Sequence, residues 1–159
     1  MLKLARRAGR FVLLVALAAA VIVVARGRAP SSSEASFAGS PELVAATFSS
    51  AWCSACMILK PRLAKAIPAF AGKPVKFVEY DFTFGDRAET RSAAAADGLG
   101  AVYDKFARST GFTLLIDADT GEIIDILTIN HSAKAMKAAI GGALAKAALS
   151  GQDDPYKDG

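Results

Sequence analysis

Fifteen consecutive apolar residues, Phe11–Ala25 (FVLLVALAAAVIVVA), lie between Arg10 and Arg26. No other feature limits the fold as strongly, because a helix apolar on every side must leave water, into a bilayer or a core. Fifteen residues rise roughly 22 Å, against a hydrocarbon layer of about 30 Å. Flanking arginines can snorkel and a bilayer can thin locally, so spanning is feasible. The apolar region of a secretory signal has a similar length, but it needs small residues at a cleavage site. Here Arg26-Gly27-Arg28-Ala29-Pro30 follows, with arginines around the small residues and a proline after them. The expectation is one uncleaved N-terminal transmembrane helix within residues 1–28. A cleaved signal segment and a buried core helix are the alternatives. Four positive charges precede the run and two follow it. That asymmetry places the N-terminus inside and the rest of the chain outside.

The same segment explains the charge. The chain has 19 basic and 15 acidic residues, net +4. Six of the basic residues and no acid fall in the first 28 positions, so the remaining 131 residues carry 13 basic and 15 acidic side chains, net −2. The basic balance therefore sets membrane topology and requires no nucleic acid. Ala29–Pro41 (APSSSEASFAGSP) has the composition of a flexible linker over 29–41. One domain is expected over 42–150, with a flexible polar tail over 151–159.

Within that domain, strand and helix patterns alternate. Leu43–Phe48 reads as a buried strand, and Leu59, Leu63, Ile67 and Phe70 mark one face of a helix that Pro61 should kink. Val75–Phe82 has strand composition. Asp86–Arg108 is alanine-rich and helical, interrupted at Gly98-Leu99-Gly100. Thr113–Ile116 and Glu122–Ile129 form a hairpin around Asp117–Gly121, and Ser132 caps a last helix reaching Leu149. The order βαβαββα predicts the α/β class, a mixed sheet with helices on both faces.

One motif carries chemistry. Trp52-Cys53-Ser54-Ala55-Cys56 holds the chain's only two cysteines, between a predicted strand and a predicted helix. A helix N-terminus offers unpaired N–H groups and positive potential, which stabilise a thiolate on the first cysteine. The second, one turn on, can attack a mixed disulfide and close the ring. The other readings are half of a metal site, or two small buried residues.

The segment Phe48–Pro61 (FSSAWCSACMILKP) resembles the thioredoxin active-site segment, including the tryptophan before the first cysteine and the proline five residues after the second. The later strand–hairpin–helix order is compatible, so the resemblance covers about 105 residues, although only the WCxxC segment is specific. With the N-terminal helix in front, the chain looks most like the membrane-tethered thioredoxin-like proteins of the bacterial envelope. The resemblance implies a thioredoxin-like mixed sheet and a thiol–disulfide oxidoreductase without cofactor. Cys53 would be the exposed nucleophile, Cys56 the buried resolving thiol and Trp52 an apolar contact for partners. It also implies an inner-membrane, single-pass protein whose domain faces the periplasm, or a periplasmic one if the leader is cleaved. Its partners would be protein thiols or disulfides.

Three departures from the family pattern stand out. Thr47 occupies the place of a buried aspartate that assists proton transfer at the second cysteine. Gly111-Phe112-Thr113 stands where the family has a cis-proline opposite the dithiol. A cis bond before phenylalanine would cost about 2.5–4 kcal/mol, so a trans peptide and a reshaped substrate groove at Gly111 and Phe112 are expected. Thirty residues separate Asp81 from Phe112, long for the family and expected to form an elaborated helix rather than a lid or partner surface. Ser54-Ala55 supplies no imidazolium to the thiolate, which favours a reductase or isomerase role over strong oxidation. The alternative function is a metal-handling or binding module with the two cysteines as ligands. His131, the only histidine, is expected at the surface or as a cap, and Asp117–Gly121 as turn chemistry rather than a calcium loop or protease triplet.

Overall fold

Strand β1 (Leu43–Ser49) is buried along its whole length, which is why it reads as a nearly continuous apolar run. The computed structural model describes residues 39–84, 87–107 and 109–150. Helix α1 (Ser54–Ala66) continues through Pro61 and passes into a 3₁₀ turn, Ile67–Phe70. Strand β2 (Val75–Asp81), helices α2 (Arg87–Ala96) and α3 (Gly100–Phe106), strands β3 (Phe112–Asp117) and β4 (Ile123–Leu127) and helix α4 (Ala133–Ser150) follow. The predicted transmembrane helix, most of the linker and the tail lie outside the described residues. Among the described residues, no helix is long and apolar enough to cross a membrane.

The sheet order is β2-β1-β3-β4. Strand β1 runs parallel to β2, with Leu43 opposite Val75 and Thr47 opposite Glu79. It runs antiparallel to β3, with Phe48 opposite Phe112, and β3 pairs antiparallel with β4. Alternation along the strands divides the core in two. Leu43, Ala45 and Leu115 pack with Leu59 and Leu63 of α1 and Met136 and Ile140 of α4. Val44, Ala46, Phe48, Leu114 and Ile116 face the other way, toward Ala94, Leu99 and Tyr103. The rings of Tyr80, Phe82, Tyr103, Phe106 and Phe112 all lie within 6.4 Å of the Phe48 ring, centroid to centroid.

Differences from the expected boundaries have local causes. The alanine-rich stretch splits because Gly98, at φ +76°, lets the N–H groups of Gly98 and Leu99 turn back to the carbonyls of Ala95 and Ala94. That paired closure ends α2, and Leu99 enters the core. The long connection is thus two helices, as an elaborated helix requires. Strand β4 stops at Leu127 rather than Ile129, because Thr128 begins a turn in which its N–H donates to His131 Nδ1 at 3.1 Å. Arg62 of α1 donates to the carbonyls of Ile129 and His131, holding that turn against the helix. Ser132 caps α4 as expected, accepting from Ala135 N at 3.2 Å.

Asp117 organises the hairpin and the end of α4. Its carboxylate accepts from the backbone N–H groups of Asp119 and Thr120, both at 2.9 Å, and from the Ser150 hydroxyl. Burial raises its pKa, but the hydrogen bonds from Ser150, Thr120 and Asp119 outweigh that and hold it below the usual carboxylate range. A depressed folded-state pKa contributes stability above the unfolded value of about 3.9 and loses it as pH falls through the folded value. Asp117→Ala should cost about 2 kcal/mol at neutral pH. Chemical denaturation of variant and wild type should converge as the pH drops below about 4.

Candidate redox site

Where β1 ends, the chain turns sharply into α1. Ser50 O accepts from Cys53 N at 3.2 Å, and Ala51 N donates to Thr83 Oγ1 at 2.7 Å, tying the turn to the segment after β2. Cys53 then occupies the N-cap of α1 with extended backbone, φ −89° and ψ 108°. Its Sγ takes the place of a capping oxygen and accepts from Cys56 N at 3.2 Å. Both thiols are free, Cys53 half-buried and Cys56 buried at 2% exposure.

The environment separates the two sulfurs. Burial raises the Cys53 pKa, but hydrogen bonds from the Cys56 thiol, the Thr110 hydroxyl and the N–H groups of Cys56 and Ala55 outweigh it. The result lies below the ordinary thiol value. Cys56 moves upward, first through burial, then through its hydrogen bond to Cys53 and the nearby Cys53 charge. The Ser50 N–H and the Thr110 hydroxyl pull it weakly the other way. Cys53 is therefore the sulfur that ionises first, and Cys56 holds its proton.

Gly111 closes the site from the side of β3. Its N–H donates to Phe48 O at 2.8 Å, and it takes φ +97°. A Cβ there would fall 2.8 Å from Ala55 Cβ and 3.2 Å from Cys53 Sγ. Glycine is thus needed twice, for the left-handed backbone and for the close approach to Ala55 and Cys53 Sγ. The peptide before Phe112 is trans, since no cis peptide occurs among the described residues. Phe112 turns its ring away from the dithiol and stacks on Phe48 with 5.2 Å between centroids. Gly111, just before it, is what approaches Cys53.

Thr47, at the position of the family's aspartate, is buried and pairs with Thr113, with 2.8 Å between hydroxyl oxygens. Its hydroxyl is therefore engaged across β1 and β3. Trp52 is 77% exposed and meets Phe84, itself 85% exposed, edge to face at 5.9 Å. Thr110, Phe84, Lys60 and Glu79 escaped the sequence reading. Phe84 and Thr110 sit in connections whose proximity to the dithiol depends on strand pairing. His131 lies in the turn before α4, as a capping residue should. Among the described residues, no three His, Cys, Asp or Glu side chains gather as a metal site.

Gly111→Ala should lower stability by about 2 kcal/mol, read by chemical denaturation. It should also slow alkylation of Cys53 relative to a free thiol, because the added methyl presses on the nucleophilic sulfur. In the unsubstituted protein, alkylation followed against pH should modify Cys53 first, with a midpoint below the roughly 8.5 of free cysteine.

A scan against protein-family models and a search of the curated proteins find no match to the chain. Among solved structures, a thiol:disulfide interchange protein of the thioredoxin family from Chlorobium tepidum matches 65% of this chain and 80% of its own, at 16% identity and TM-score 0.46. StoA from Bacillus subtilis matches 64% and 84%, at 16% identity and TM-score 0.44. A thioredoxin from Malassezia sympodialis matches 67% and 80%, at 20% identity and TM-score 0.42. In this chain, the mixed four-stranded sheet, the helices on both faces and a dithiol capping the helix after β1 together make a thioredoxin-like fold.

Proposed function

We propose that this chain is a thiol–disulfide oxidoreductase acting on protein disulfides, and that residues 1–28 tether it to the inner membrane with the domain in the periplasm. The observation that carries the reading is the division of labour at the start of α1, a half-buried sulfur poised as thiolate beside a buried one that keeps its proton. The Cys53 thiolate attacks one sulfur of a partner disulfide. The partner's other sulfur leaves as thiolate, and a Cys53–partner disulfide remains. Cys56 then gives up its proton and attacks Cys53 Sγ, forming the Cys53–Cys56 disulfide. The partner's second sulfur departs and ends protonated, so the partner is reduced by two electrons and this dithiol is oxidised.

Trp52 and Phe84 give a partner an exposed aromatic surface beside the nucleophile. The Gly111 N–H is committed to Phe48 O, which leaves its carbonyl as the group to meet an extended peptide. The Phe112 backbone continues that edge, while its ring packs on Phe48 in the core. With serine and alanine between the cysteines, no imidazolium holds the thiolate, which favours reduction or exchange over strong oxidation.

Cys56→Ser in the full-length chain should trap Cys53–partner disulfides that reductant dissolves, and Cys53→Ser should abolish them. Trapping no protein with the Cys56 variant under conditions that oxidise the wild-type dithiol would count against the reading. A reporter fused after Gly159 should be active in the periplasm, and activity only in the cytoplasm would refute the proposed topology.

A further inference from the structure

Resolution requires Cys56, a buried thiol with a raised pKa, to lose its proton. Thr47 is not an acid–base group at neutral pH, and its hydroxyl is paired with Thr113. A charged pair is built between α1 and β2. Lys60 lies four residues after Cys56, so helical geometry puts the two on adjoining turns of one face of α1. Its Nζ is 2.5 Å from Glu79 Oε1. The same oxygen accepts from the Ser49 hydroxyl, also at 2.5 Å, and Ser49 is buried. Glu79 stands opposite Thr47 in the β1–β2 register, so its side chain projects to the sheet face that α1 covers.

Resting on the oxidoreductase reading, we propose that Lys60, pinned by Glu79 and Ser49, is a positioning residue for the resolving step, its ammonium charge favouring ionisation of Cys56. Hydrogen bonding to Glu79 outweighs burial and keeps Lys60 protonated, with the charges of Glu79, Asp81 and a Cys56 thiolate adding in the same sense. Of the charged groups, Cys53 acts on Cys56, and Glu79 and Asp81 of β2 act on Lys60 together with a Cys56 thiolate. The segment before β3 contributes the neutral Thr110 hydroxyl. A cation near a thiolate makes the thiol easier to ionise, while a lysine serving only as a surface ion pair would leave the reaction untouched. The proton leaving Cys56 finishes on the departing partner thiol, so no further reactant is needed.

The test uses the reduced full-length chain and the uncharged disulfide 4,4′-dithiodipyridine. Attack by Cys53 releases one equivalent of pyridinethione, and attack by Cys56 on the resulting mixed disulfide releases a second. Lys60→Met should leave the first phase within about twofold of wild type, which also shows that the variant is folded. The second phase should slow about tenfold near neutral pH, and its pH midpoint should rise by about one unit. Lys60→Arg should restore both, and Glu79→Gln should slow the second phase less than Lys60→Met. A second phase with unchanged rate and midpoint in Lys60→Met, or an arginine variant as slow as the methionine one, would overturn the role of Lys60. A wild-type protein releasing only one equivalent would overturn the exchange reading itself, and this role with it.

Discussion

Burial of β1 on both faces is the constraint from which the rest of the domain follows. A strand covered on two sides must satisfy its backbone through neighbouring strands, here β2 and β3. Its side chains must alternate between two helical layers. Phe48 joins the two requirements. Its ring holds the aromatic cluster beneath α2 and α3, and its carbonyl takes the Gly111 N–H that brings the segment before β3 onto the dithiol. Packing on one face of β1 and the geometry of the dithiol at its end therefore share a residue.

The chemistry of the dithiol comes from asymmetry more than from the cysteines themselves. Both sulfurs meet burial and hydrogen-bond donors, yet the donors outweigh burial only at Cys53, while Cys56 also meets its partner's charge. A donor stabilises a thiolate only when it points at the sulfur, so the N-cap position of Cys53 matters as much as its residue type. Gly111 makes the same point through an absence, since the site needs the space a side chain would occupy. The Glu79–Lys60 pair bridges β2 and α1 in a chain whose first strand carries Thr47, paired with Thr113, rather than a carboxylate.

Much of this was legible in one dimension. The strand runs, the helix break at Gly98, the Ser132 cap and the Asp117 turn all depend on contacts between near neighbours, which local pattern encodes. The Cys53–Cys56 pair was legible for the same reason, both thiols lying within one helical turn. Phe112 was legible as a departure and in its trans peptide, but not in the direction of its ring, which follows from strand parity and from Phe106, whose place depends on how α3 docks. Thr110 and Glu79 were silent. Their effect depends on pairing between residues about twenty to sixty positions apart, and nothing in their own neighbourhoods differs from an ordinary strand or connection.

Sequence alone therefore determined the segregation of charge and apolar residues in the first 28 positions, the alternation of strand and helix, and the identity of the reactive pair. Each rests on periodicity or on spacing within a turn. Tertiary structure alone decided which donors from outside the motif reach Cys53, why position 111 must be glycine, and that Lys60 pairs with Glu79 and Ser49. Those depend on distances of a few ångströms between elements, and such distances are set only when sheet register and helix docking are complete.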